Sequence, residues 1–319
     1  MATYFLRKVL YAIPSLLGIS FIIFAILSLA PGDPLAEFGA NPEVPAEVRE
    51  NIKKSLGLDQ PWPVRYVKWL GALSQGEFGF SFAARRPVTD LLAQRLPQTM
   101  MVVGIAYLIA LVIAIPVGVL SAARPKSAAS HIVSLITMVG ISLPTFLTGL
   151  ILILVFSVEL GILPMIYDTN IKLDSLDGWG KQIKQSLMPI AVLALFNAGA
   201  MTRFVRSAML ENLPMDYVRT ARAKGLTEWS VIIKHALRNS LIPVVTLIAI
   251  NLPGVFTGAI ITEQIFRVNG IGELLVTSVQ KSDTPVVMAI VFIYAILVVA
   301  SQLIADVVYG VLDPRIKFA

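Results

Sequence analysis

Few side chains in this 319-residue sequence could make or break bonds. Histidine occurs twice, at His131 and His235, and neither belongs to an H-E-x-x-H zinc pair. Cysteine is absent, which excludes disulfides, thiolate metal sites and a cysteine nucleophile. The sequence holds no G-x-S-x-G elbow and no G-x-x-x-x-G-K-[ST] phosphate loop, and Gly178-Trp-Gly-Lys181 lacks the spacing of the latter. A hydroxyl nucleophile needs a base within hydrogen-bond reach, and the apolar runs offer only scattered hydroxyls. Asp306 stands near the end of the last apolar run. It reads first as an interfacial carboxylate paired to Arg or Lys, with a functional intramembrane acid as the alternative. Asn197, Asn251 and Gln302 also fall in apolar runs, as do Ser142 and Pro144. Such residues either line a polar pathway or bridge packed helices. The inventory yields no catalytic residue, no metal site and no cofactor held by the chain itself.

One polar stretch remains, Met215-Asp-Tyr-Val-Arg-Thr-Ala-Arg-Ala-Lys-Gly225, followed by Leu226, Thr227 and a basic amphipathic run to Pro243. Asp216 to Lys224 fits a short helix, with Asp216 at its positive end, Lys224 at its negative end and Gly225 at the C′ position. Thr227 is placed to cap a second helix that has Glu228 in its first turn and His235 and Arg238 in its last. Isolated helices this short are marginal in water, so the first one is expected to gain order in a protein groove. A basic loop that merely obeys the positive-inside rule is the bland alternative. That rule asks only for Lys and Arg, and does not account for Ala221, Ala223 and Gly225 at this spacing.

The elements that must hold this stretch are read from hydropathy. Hydrophobic residues make up 56% of the chain and charged residues 14%, against about 25% charged in soluble domains, so much of the surface faces lipid. Uncharged runs cover residues 9–30, 98–123, 127–158, 185–202, 239–262 and 284–305, and each supplies a membrane span or nearly so. The first is too long for a signal-peptide apolar region and is read as a retained helix. Residues 31–97 are polar and Pro-rich. An amphipathic helix is expected over residues 46–56, and Trp62, Tyr66 and Trp69 suit a membrane interface. Pro14, Pro116, Pro144, Pro189 and Pro253 punctuate the runs and predict kinks.

Charge sets the orientation. The net charge is +6, and no basic run is interleaved with stacking aromatics, so nucleic acid is not the partner. Six spans with both termini inside place 13 Lys and Arg on the cytoplasmic side and 13 outside. Eight of the latter lie in the long 31–97 segment, which translocates largely regardless of charge. The remaining five against 13 put both termini, and residues 203–238, in the cytoplasm.

The polar stretch resembles the cytoplasmic EAA loop of ABC-type importer permeases, in the version carried by the dipeptide/oligopeptide/nickel permease family. Aligned on Gly225, the loop's Glu-Ala-Ala falls on Arg219, Thr220 and Ala221, and its Ile-x-Leu-Pro falls on His235, Ala236, Leu237 and Arg238. These departures are themselves similar to the peptide-permease branch. The resemblance extends along the chain through Ile13-Pro-Ser-Leu-Leu-Gly-Ile-Ser20, Pro31-Gly-Asp-Pro34, Leu56-Gly-Leu-Asp-Gln-Pro61, Gly76-Glu-Phe-Gly-Phe-Ser81, Arg95-Leu-Pro97, Ile141-Ser-Leu-Pro-Thr-Phe146 and Leu312-Asp-Pro-Arg-Ile316. Asn269-Gly-Ile-Gly272 replaces the family's Pro-Gly-x-Gly, and residues 167–184 lack a close counterpart. Both are expected to face outward.

The resemblance implies an all-α polytopic protein with six transmembrane helices and the type I ABC importer fold. Residues 1–30 would form the N-terminal end and first span, and 31–97 an extracytoplasmic helical segment. Residues 98–312 would form the permease domain with its coupling loop at 203–238, and 313–319 a cytoplasmic tail. It implies a coupling surface of Asp216, Tyr217, Arg219, Thr220, Ala221, Arg222, Ala223, Lys224, Gly225 and Leu226, and half of a translocation pathway. The implied partners are a second homologous permease, two cytoplasmic ABC ATPase subunits carrying ATP and Mg, an extracytoplasmic substrate-binding protein and membrane lipid, in a prokaryotic plasma membrane. Short peptides are the expected cargo. Nickel complexes, glutathione and oligosaccharides are the alternatives within the family, and an ion-coupled secondary transporter is the alternative outside it.

Overall fold

The computed structural model describes residues 2–29, 47, 50, 54, 57, 59–254 and 259–312. Its regular elements are helices: α1 Ala2–Leu29, α2 Trp62–Leu73, α3 Val88–Ala123, α4 Ala128–Ser142, α5 Thr145–Glu159, α6 Leu176–Asn212, α7 Asp216–Ala223, α8 Glu228–Asn251, α9 Ile260–Phe266, α10 Ile271–Gln280 and α11 Thr284–Leu312. Five of them are long and apolar enough to cross a membrane, and the bent pair α4 and α5 makes a sixth span if counted as one. The expected helix over 46–56 falls mostly outside the described residues, as do the Pro31–Pro34 motif and the tail from 313.

Two compact units form. The first comprises residues 1–97 and 270–299. In it α2 lies against α1 through aromatic contacts. Phe21 and Phe24 meet Tyr66 edge-on at 5.4 Å, and the Tyr66 hydroxyl lies 2.9 Å from the Ser20 hydroxyl. Trp62, Tyr66 and Trp69 thus pack on the end of a span. A second cluster joins Val88, Leu91 and Leu92 to Ile271, Leu274, Val286 and Ile290, flanked by a partly buried Arg95–Glu273 ion pair at 2.8 Å.

The second unit comprises residues 98–269 and 300–319. Its axis is α6, with α3 packed along it. The contact is made by a small-residue stripe at every fourth position of α3: Ala106, Ala110, Ala114, Gly118 and Ala122, all buried. Lipid supplies no hydrophobic drive between helices, so close backbone approach carries such contacts. A Cβ at Gly118 would stand 2.8 Å from the Val205 side chain and 3.0 Å from the Thr202 carbonyl. Gly118→Val is therefore expected to destabilise the helix pair by about 1–3 kcal/mol, read as a lower thermal midpoint in detergent.

Two expectations are corrected and a third is sharpened. The kink expected at Pro144 is a bend of 98° between α4 and α5, so the run 127–158 is not one straight span. Leu143 is extended (ψ 123°) because the proline ring after it disfavours the helical region, and Pro144 opens α5. The fourth span starts at Leu176 and not at 185: Ser175 caps it, accepting from Gly178 N–H at 3.1 Å, and Asp177, Lys181 and Lys184 interrupt the apolar run without ending the helix. The second helix of the polar stretch does not stop at Arg238. It passes through a π-helical turn, Val231–Leu237, into the fifth span. The segment 167–184 is in part packed into the second unit. Tyr167 is buried, donating its backbone N–H to the Phe266 carbonyl at 3.0 Å, and Gln182 and Gln185 are buried beside it.

Candidate functional site

Helix α7 forms where the sequence places it. Met215 precedes it in an extended conformation, Arg222 closes its last turn and Gly225 follows with φ +75°. That left-handed conformation suits glycine. One face of α7 turns inward: Val218 and Ala221 are buried against Val205, Met209, Val231, Ile232 and Ala236, from α6 and α8. Ala221 is therefore covered by its own chain and is not part of a surface open to a partner.

The other face is open. Asp216, Tyr217, Arg219, Thr220, Arg222, Ala223, Lys224, Gly225 and Leu226 are all exposed, and Met215 and Trp229 add apolar surface beside them. Three contacts brace this face. The Tyr217 hydroxyl donates to Asn212 Oδ1 at 2.6 Å, the Thr220 hydroxyl to the Asp216 carbonyl at 2.9 Å, and Arg222 reaches across the turn to Glu228 at 2.7 Å. The hydrogen bond to Glu228 raises the Arg222 pKa above its ordinary value. Thr227 stands at the N-cap of α8, although its hydroxyl makes no capping bond.

The candidate pathway residues separate into two groups. Asn197 and Asn251 come together on a cavity of about 490 Å³, with Thr145, Tyr107 and Thr262 on the same wall. Each asparagine donates its side-chain amide to a carbonyl one turn back, Leu193 and Leu247, at 2.8 Å, which leaves the carbonyl oxygen of the amide to face the cavity or a neighbour. Pro144 and Ser142 are exposed at the α4–α5 bend, next to Thr145 but not on the cavity wall. Gln302 is exposed on α11 and does not line it. Asp306 is half-buried on the same helix.

Two family models match the sequence. The model for the binding-protein-dependent transport system inner membrane component matches residues 114–318, and the model for the N-terminal part of such membrane components matches residues 1–103. The chain belongs to this family. Similar proteins include the oligopeptide transport system permease protein AppB of Bacillus subtilis, 41% identical over the full length of both chains. They also include a putative peptide permease protein of Brucella ovis, 37% identical over 99% of both, and the glutathione transport system permease protein GsiC of Escherichia coli, 35% identical over the full length of both. The molecule is thus a membrane-embedded permease subunit of an ABC importer, with the all-α polytopic fold of that class.

Within this permease the structure adds polar residues that the sequence reading missed. Glu263 on α9 is 1% exposed and accepts from the Thr99 hydroxyl at 2.9 Å, beside a π-helical turn at Met100–Gly104. Tyr167 meets Gln98, Gln182 and Ser186, while Gln185 clasps the backbone of Asp168 through both ends of its amide, at 2.7 and 2.9 Å. Asp283, 2% exposed, accepts three bonds from residues 81–83. Period and composition do not separate such acids from solvated ones. The sequence signal is positional: Glu263 directly follows one uncharged run and Asp283 directly precedes another.

Proposed function

We propose that this permease forms half of a translocation pathway for short peptides, pairing with a second, similar permease and receiving cargo from an extracytoplasmic binding protein. The observation that carries the reading is the braced helix α7. Its apolar side is already satisfied by α6 and α8, yet Met215, Tyr217, Leu226 and Trp229 remain exposed among basic residues. A braced, one-sidedly exposed helix suits the groove of a cytoplasmic ATP-binding subunit, which would hold ATP and Mg, since this chain has no phosphate loop. Closure of two such ATPases would move α7 as a unit and, through α6 and α8, switch the spans between outward and inward access. The docking surface is Asp216, Tyr217, Arg219, Thr220, Arg222, Ala223, Lys224, Gly225 and Leu226, with Ala221 supporting it from beneath.

Peptide cargo is supported by the likeness to the Bacillus and Brucella proteins. Glutathione, itself a tripeptide, is the second reading, supported by the likeness to the Escherichia coli protein. The cavity that holds Asn197 and Asn251 offers amide groups, which suit the peptide backbone in either case. The charge balance supports both termini on the cytoplasmic side. Because the native chain lacks cysteine, single Lys224→Cys and Lys172→Cys variants report topology directly. In intact cells an impermeant maleimide is expected to label position 172 and leave 224 unmodified, and the reverse pattern overturns the orientation. The function itself is tested in proteoliposomes with the partner subunits. Uptake of a labelled peptide should require ATP and the binding protein and persist with an uncoupler. Collapse by the uncoupler at constant ATP refutes the reading.

A further inference from the structure

The first compact unit holds a second cavity, of about 260 Å³, whose walls include Phe24 of α1, Arg65, Lys68 and Trp69 of α2, Phe80, and Pro285 of α11. On α2 the lining residues Arg65, Lys68, Trp69 and Ala72 follow the i, i+3, i+4, i+7 spacing of a single helix face. The chemistry of this face is one-signed. Two cations line it, no acidic side chain is among the described lining residues, and Arg65 sits 5.9 Å from the centroid of the Phe24 ring. The Nε1–H of Trp69 is sealed from solvent and has no hydrogen-bond partner among the described residues. Burial lowers the Arg65 pKa, and a guanidinium nonetheless stays charged.

Depth in the membrane decides what fills the site. Phe24 lies in the closing turns of the span Leu10–Leu29, and Thr284 and Pro285 open the span Thr284–Val308. The cavity therefore lies at a membrane–water boundary, where aromatic rings and cations meet phospholipid headgroups. Apolar walls suit the upper acyl chain, while Arg65 and Lys68 suit a phosphate.

We propose that this cavity is a binding site for an anionic glycerophospholipid, its phosphate held by Arg65 and Lys68 beside the Trp69 ring. A cation near an anionic headgroup contributes about a factor of five in affinity, so the pair gives about a 25-fold preference for anionic over zwitterionic lipid.

The test uses the full-length chain in nanodiscs that carry a small fraction of phospholipid brominated near the headgroup, either phosphatidylglycerol or phosphatidylcholine. Brominated phosphatidylglycerol is expected to quench tryptophan emission well beyond phosphatidylcholine, and Trp69→Phe should remove that excess. The Arg65→Gln/Lys68→Gln double variant should lose the preference. Native mass spectrometry of the single variants, each still folded, should show fewer retained anionic lipids. Inorganic phosphate, at ionic strength matched with chloride, should leave the quenching unchanged. Equal quenching by the two lipids, a preference that survives the double variant, or displacement by inorganic phosphate each overturns the assignment. Transport need not be measured, so failure here is distinct from failure of the peptide-importer reading.

Discussion

Replacing Gly225 by proline is expected to abolish peptide uptake while leaving the permease inserted and its partner ATPases active. Gly225 has φ +75°, and its N–H donates to the Arg222 carbonyl at 2.9 Å. Proline fixes φ near −65° and has no N–H, so both the turn and the bond are lost. Space is not the issue, because a Cβ at this position would meet nothing within 4 Å. The consequence is orientational. The ion pair from Arg222 to Glu228 spans this turn, and α7 would swing away from the direction that Val218 and Ala221 set by packing on α6 and α8. Misplacement worth about 1.4 kcal/mol is enough for a tenfold loss of rate, and the proline change exceeds it. Gly225→Asn separates backbone from chemistry, since asparagine tolerates the left-handed region, and it should keep uptake within about twofold. The measurement is uptake per ATP hydrolysed in proteoliposomes. Full coupling in the proline variant removes the coupling role assigned to this helix.

That turn was largely legible in the sequence, and the reason is local. Helix α7 ends on a residue type whose backbone freedom announces it, and its dipole is marked by Asp216 and by the basic residues near its end. The spans were legible for a similar reason, since a long uncharged run has few other physical homes. What hydropathy could not show was direction. A single run, 127–158, holds two helices at 98°, because a bend at Pro144 changes geometry without changing polarity. It also could not show burial of polar groups whose partners are far away in sequence. Glu263 is satisfied by Thr99, 164 residues earlier, and no periodic pattern encodes such a pairing. The face of α7 shows the same gap. Its composition suggested Ala221 and Ala223 as equals, yet packing buries one and exposes the other.

Asp283→Ala is expected to be the most damaging single change in the first compact unit. The carboxylate accepts from the Ser81 hydroxyl at 2.5 Å and from the backbone N–H groups of Phe82 and Ala83 at 3.1 and 3.2 Å. It stands one residue before α11, so it ties the 81–83 turn to the start of that span. The turn depends on it in a second way: the same Ser81 oxygen accepts from Ala84 N–H at 2.9 Å, and Arg85 beyond it holds a left-handed φ of +53°. Alanine would strand three donors at a 2% exposed position. Each unsatisfied donor costs about 1–3 kcal/mol, so the loss should reach about 3 kcal/mol or more even if water recovers part of it. Asp283→Asn keeps the volume and one acceptor but points an amide N–H at donors, and should fall between wild type and alanine. Ser81→Ala removes the hydroxyl's bond to Asp283 together with the bond it accepts from Ala84 N–H, and should cost about 1.5–3 kcal/mol, the range for a hydrogen bond to a charged group. Limited trypsin digestion reads the effect directly, because Arg85 stands in the loop that follows the turn, whereas the Arg86–Pro87 bond resists trypsin. Cleavage there should be slow in wild type and accelerate in the order Ser81→Ala, Asp283→Asn, Asp283→Ala. If the alanine variant resists trypsin as wild type does, the carboxylate is not what holds the turn.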